Sequence, residues 1–178
     1  MKNFAIAFGF KGKLCENIYK SWRILEEKFN IKYISSYDIP HLTILAGDTK
    51  KIEVIFECLK NEKIKKFKIF SPGLGIFANE KPNLYIRWDR SEHLLKNSKN
   101  ITNIVFNLFE NIHETSNFCS SKWVPKTTVA WKDLSYDNIS SIYNEINFLF
   151  KKSYTIVDSI YFFDLSNNSL THKIKLHN

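Results

Sequence analysis

Cysteine is scarce in this chain, and so are glycine and proline. Three cysteines, Cys15, Cys58 and Cys119, stand far apart in 178 residues. That number and spacing exclude a disulfide framework and a zinc knuckle and fit reduced thiols in a cytosolic protein. With only 5 glycines and 4 prolines, collagen-like and linker-rich architectures are excluded. No run is long and apolar enough to span a bilayer. The opening stretch 1–13 has a short apolar run, but no extended hydrophobic region and no small-residue cleavage site. The expectation is therefore a cytoplasmic protein without membrane association. No group of His, Cys, Asp and Glu has metal-ligand spacing, so neither a metal nor another cofactor is expected.

What is present is ordinary for a globular protein: 44% hydrophobic and 25% charged residues. The length suits one monomeric domain, or two small halves sharing a core, and can bury enough surface to fold without staples. The net charge is +8. A basic surface favours an anionic partner such as nucleic acid or nucleotide. Nearly all of that charge is lysine, in a chain also rich in Ile and Asn. An AT-rich genome yields the same composition.

Hydrophobic spacing outlines the elements. Phe4, Ile6, Phe8 and Phe10 alternate with Ala5, Ala7 and Gly9, which reads as a strand with one bulky and one thin face. Leu14, Ile18, Trp22, Leu25 and Phe29 recur at helical steps over 13–29. Residues 39–46 read as a second strand, broken at Gly47-Asp48, with Asp48 or Thr49 capping a helix that carries Ile52, Ile55, Phe56 and Leu59. Extended segments follow at 67–77, interrupted at Ser71-Pro72-Gly73, and at 84–88. The rhythm then repeats. A helix carries Ile101, Ile104, Val105, Leu108 and Ile112, and a polar loop covers 114–122. A strand spans 123–131, and Asp133 or Ser135 caps a helix carrying Ile139, Ile142, Ile146 and Leu149. Strands at 154–165 and 170–176 are joined by the turn Ser166-Asn167-Asn168-Ser169.

One pentapeptide pattern occurs at matching places in the two halves. Pro40-His41-Leu42-Thr43-Ile44 and Pro125-Lys126-Thr127-Thr128-Val129 each read Pro, nitrogen base, any residue, Thr, β-branched aliphatic. A lone His-x-Thr is a weak signal. Two of the chain's 4 prolines followed three residues later by Thr, in matched contexts, is a stronger one. On a strand, residues two apart share a face. His41 would project with Thr43, and Lys126 with Thr128. Two such strands side by side put two bases and two hydroxyls around one point. That set suits a phosphodiester: one base takes the nucleophile's proton, one acid protonates the leaving oxygen, and the hydroxyls hold non-bridging oxygens.

On these residues the chain resembles the 2H phosphoesterase superfamily, which includes bacterial RNA 2′,3′-cyclic phosphodiesterases (the so-called 2′-5′ RNA ligases) and 2′,5′-oligoadenylate phosphodiesterases. The resemblance spans essentially the whole chain. It includes the order of elements, both pentapeptides with Trp123-Val124 before the second, and Gly73-Leu74-Gly75-Ile76-Phe77 followed by Leu84-Tyr85-Ile86. It implies an α+β fold of two pseudo-symmetric lobes, with antiparallel-rich sheets around a central cleft and helices outside. The first lobe would run roughly over 1–80 and the second over 81–178. It implies a metal-independent phosphodiesterase acting on RNA ends or on 2′,5′-linked or cyclic oligonucleotides. His41, Thr43 and Thr128 match the family's motif positions. Lys126 matches by position only, because the family has His there. Lysine is normally a fixed cation at neutral pH and becomes a base only when its pKa is lowered. The alternative reading is a degenerate domain that binds nucleotide or RNA without turnover.

The remaining candidates are peripheral. Tyr37, Trp123, Trp131, Tyr85 and Phe77 lie near the motifs; core packing is the leading reading of each, and stacking on a base the alternative. His93 and His113 lie in polar segments and read as solvated side chains, and His172 and His177 belong to the last strand and tail. Ser71-Pro72-Gly73-Leu74-Gly75 lacks the Lys-Ser/Thr ending of a phosphate loop and reads as a turn between strands.

Overall fold

The computed structural model describes residues 2–178. Strand β1 (Lys2–Lys11) is the organising element of the larger sheet. On one side it pairs antiparallel with β2 (His41–Thr49), on the other with β7 (Ser153–Asp164). The far side of β7 carries β3 (Phe67–Ser71) along one end and β8 (Ser169–Lys175) along the other. A smaller antiparallel sheet has the order β4 (Gly73–Phe77), β5 (Asn83–Arg87), β6 (Lys126–Ala130). The fold is thus α+β with two antiparallel sheets. The boundary near residue 80 does not describe these sheets. Strands β7 and β8 return from the C-terminal half to complete the sheet begun by β1.

Among the described residues, four α-helices flank the sheets. Helix α1 (Lys13–Phe29) buries Leu14, Ile18, Trp22 and Leu25 and ends at Asn30, whose left-handed backbone (φ 53°) closes the last turn. Helix α4 (Tyr136–Ile146) packs against α1, and α1 also touches β6. Helices α2 (Ile52–Lys60) and α3 (Glu92–Val105) pack together over β2, β3 and β8. Ser135 caps α4 as expected, its backbone N–H donating to Asn138 in a capping box.

Several boundaries differ from the sequence reading. Gly47-Asp48 does not end β2, which runs on to Thr49 because Gly47 still pairs with Phe4. Thr49 does not cap α2; its hydroxyl accepts from Lys51 N–H and donates to the Leu108 carbonyl. The helix assigned to 101–112 starts at Glu92, capped by Ser91, and gives way to a 3-10 turn at 106–108. Ile112 instead bridges to Gly47. Strand β6 is confined to Lys126–Ala130, and Asp133 accepts from the Lys32 and Tyr33 amides rather than capping a helix.

The thin face of β1 has a use. Phe4, Ile6, Phe8 and Phe10 join the main core, while Ala5 and Ala7 leave space that Tyr161 and Phe163 fill from β7. Gly9 takes this furthest. A Cβ there would lie 2.2 Å from the Tyr161 ring. Tyr161 is itself only 6% exposed, so the ring has little room to move. Gly9→Ala is expected to destabilise the protein by about 1–3 kcal/mol through overpacking, read by urea denaturation. In a Tyr161→Ala background the same substitution should cost little. Equal costs in both backgrounds would contradict the packing assignment.

Candidate active site

The two motif strands are edge strands of different sheets, and their edges meet. No backbone ladder joins them. A side chain does: the Thr127 hydroxyl donates to the His41 carbonyl at 2.8 Å and accepts from the Trp88 indole N–H at 3.0 Å. Trp123 adds a second tie, its indole N–H donating to the Thr43 carbonyl at 3.2 Å.

Each strand carries a β-bulge directly after its motif threonine. On β2, Thr43 pairs with Ala7 and Leu45 with Ile6, so Ile44 is the extra residue. On β6, Thr128 pairs with Tyr85 and Ala130 with Leu84, so Val129 is the extra residue. A bulge changes which face the following residues share. His41 and Thr43 therefore stay with the thin face of β1 while Leu45 turns into the core with Ile6. The pseudo-symmetry of the motifs extends to this detail of register.

The result is one cavity of about 530 Å³ that His41, Thr43, Lys126 and Thr128 all line. Each of the four is half-buried. The His41 ring lies 4.2 Å from the Phe163 ring, centroid to centroid, at an interplanar angle of 35°. Its Nδ1 is 2.9 Å from the Ile39 carbonyl. A carbonyl can only accept, so Nδ1 carries the proton and Nε2 keeps its lone pair. Burial pushes the His41 pKa down to about 4; the nearby Lys126 charge acts in the same direction, and the Ile39 bond opposes both. Burial lowers the Lys126 ammonium to about 8. Its Nζ donates to the Thr128 hydroxyl at 3.2 Å, leaving that hydroxyl's own proton free to donate. Lys132 brings a second cation, held 4.3 Å from the Tyr33 ring centroid and 5.3 Å from that of Trp131. Among the described residues that line the cavity, none is a carboxylate.

The other sequence candidates divide. Tyr37 and Trp131 line the cavity. Trp123 does not: it is 2% exposed and stacked edge-on against Phe118, so its role is to hold β2. Tyr85 and Phe77 pack on each other at 4.5 Å outside the cavity. His113 is exposed, as its polar segment implies, and it also borders the cavity, accepting from the Asn3 amide at 3.1 Å. His93 is exposed on α3, and His177 is exposed in the tail. His172 packs on Phe56 and lies 3.4 Å from Glu53, away from the cavity. Ser71-Pro72-Gly73 is the turn between β3 and β4. Among the described residues, no group of three or more His, Cys, Asp and Glu is placed to hold a metal ion. Among the described residues, no helix is long and apolar enough to cross a membrane.

Sequence reading missed Phe163, Thr127, Tyr33 and Lys132. The thin face of β1 was the available sign of Phe163, since a large side chain from a neighbouring strand must cover it. The Thr127 role had no local sign, because it depends on how two sheets meet.

No protein-family model and no curated protein matches the chain. Among solved structures, Usb1 of Kluyveromyces marxianus aligns with 98% of this chain and 97% of its own, at 10% identity and a TM-score of 0.48. In the order of its elements and the pairing of its two motifs, the chain resembles the 2H phosphoesterases.

Thr127→Val keeps shape and removes the hydroxyl joint. It leaves the buried Trp88 N–H unsatisfied, so a loss of about 1–3 kcal/mol is expected in thermal or chemical unfolding. The His41 imidazole resonances should shift in NMR spectra of the folded variant. A variant of unchanged stability and unshifted His41 would show that the joint is not what sets the motifs.

Proposed function

We propose that this protein is a metal-independent phosphodiesterase acting on RNA ends or on 2′,5′-linked or cyclic oligonucleotides. The observation that supports it best is an opposed pair in a cavity without carboxylates: a neutral imidazole with Nε2 free, and an ammonium brought down to about 8. At neutral pH each group is then in the state its task requires. His41 holds no proton on Nε2 and can take one. Lys126 is charged, yet gives up its proton far more readily than an ordinary lysine.

In the proposed reaction Nε2 of His41 removes a proton from the attacking water or ribose hydroxyl. The resulting oxygen bonds to phosphorus, and the bond to the leaving ribose oxygen breaks. Lys126 protonates that oxygen, so no alkoxide is released. The Thr43 and Thr128 hydroxyls donate to the non-bridging oxygens, where negative charge gathers. Afterwards protonated His41 returns its proton to solvent and neutral Lys126 takes one up. Tyr37, Trp131 and Tyr33 form the aromatic end of the cavity, where a nucleobase would stack. The lysine in the second motif thus serves as the acid, a role needing no conversion between acid and base at neutral pH.

The test is a panel of 2′,3′-cyclic, 2′,5′-linked and 3′,5′-linked substrates assayed in EDTA. Wild type should turn over at least one linkage. His41→Ala should lower kcat/KM by about 10²–10⁴-fold, the range of a positioned acid–base group. Lys126→Ala should lower it as well, while Lys126→His should retain turnover. Binding of nucleotide without turnover on any linkage would establish the degenerate alternative. Robust turnover indifferent to His41→Ala would overturn both.

A further inference from the structure

A second feature, apart from the cavity, carries the marks of a ligand surface. A shallow groove of about 200 Å³ runs between the start of α1 and the start of β7. Its polar rim includes Lys13, Lys151 and Lys152, and among the described residues that line it none is a carboxylate. Two rings flank it in unusual exposure: Phe148 at 54% and Tyr154 at 70%. Neither is loosely held. The Asn17 amide donates to the Leu149 carbonyl at 2.7 Å, which fixes the turn carrying Phe148 against α1. Phe70 stacks beside Tyr154 at 4.9 Å.

We infer that this groove holds a segment of single-stranded polynucleotide, the Phe148 and Tyr154 rings stacking bases and Lys151 and Lys152 contacting phosphates. Exposed rings interleaved with cations are what sequence-tolerant single-strand binding requires: every base has a face to stack, and every linkage carries a charge. Lys13 already pairs with Glu16 at 3.3 Å, but an apolar protein segment would leave Lys151 and Lys152 without anionic partners, so charge complementarity selects the polynucleotide. The placement also suits one continuous strand. Leu14 lines the groove and Trp22 lines the cavity, both on α1. Eight residues of helix separate them by about 12 Å, a span of a few nucleotides. If a strand occupies both, the natural substrate of the proposed reaction is a chain longer than a dinucleotide. Binding in the groove does not depend on turnover in the cavity.

Fluorescence anisotropy with 2′-O-methyl oligouridylates of three and ten residues tests this. The ten-residue probe should bind wild type tighter than the three-residue probe. Phe148→Ala and Tyr154→Ala should each weaken the longer probe about 5- to 150-fold, the range for a lost base stack. Lys151→Ser with Lys152→Ser should reduce the slope of log affinity against log salt by about 1.4, at roughly 0.7 per phosphate contact. All these positions are exposed, and circular dichroism should show every variant fully folded at the assay temperature. Turnover of a short cyclic phosphate by the same variants reports separately on the cavity and should be unchanged. If length brings no gain in affinity, or the groove variants bind the longer probe as wild type does, the inference is overturned whatever the cavity does.

Discussion

The arrangement hangs on one hydroxyl. The strands bearing the two motifs belong to different sheets, and no ladder of backbone bonds sets their distance or register. Thr127 supplies the joint, donating to the carbonyl of His41 while accepting from buried Trp88. A joint made by a side chain at the residue between Lys126 and Thr128 couples both motifs through the smallest number of bonds. The Trp123 indole on the Thr43 carbonyl repeats the logic one step along β2.

Much of this is legible in the amino-acid sequence. The alternation of Phe4 to Phe10 located β1 and its thin face, and the α1 period was complete. Same-face spacing led to four side chains that do line one cavity. Local patterns carry such information because they reflect which face an element buries. The bulges after Thr43 and Thr128 were not legible, although Ile44-Leu45-Ala46 breaks the alternation and is buried throughout. A run of apolar residues in a strand has several readings, and only the pairing partner decides among them.

What stayed hidden was tertiary. The return of β7 and β8 to the first sheet places Phe163 beneath His41, more than a hundred residues away in sequence. Trp123 does not stack on a base, and His113, exposed as its segment implies, also borders the cavity. The tryptophan next to the motif is a buried strut, and the histidine in a polar segment faces the cavity. Proximity in sequence predicts proximity in space poorly wherever a loop such as 114–122 folds back. Thr127 was passed over as the variable position of its motif, because its partner lies on the other strand.

The cavity's electrostatics join these parts into chemistry. Burial lowers the imidazole and the ammonium alike, each losing stability in its charged form as water is excluded. In the proposed reaction this fixes a pH window for the free protein. His41 must be deprotonated, so activity rises as pH passes its pKa of about 4. Lys126 must be protonated, so activity falls as pH passes about 8. The most direct measurement is the pH profile of kcat/KM on a cleavable phosphodiester in EDTA, for wild type and Lys126→His. Wild type should show a bell with limbs near those two values, and the variant's alkaline limb should move to lower pH, following the intrinsically lower pKa of imidazole. An alkaline limb that stays where it is when lysine becomes histidine would contradict Lys126 as the acid.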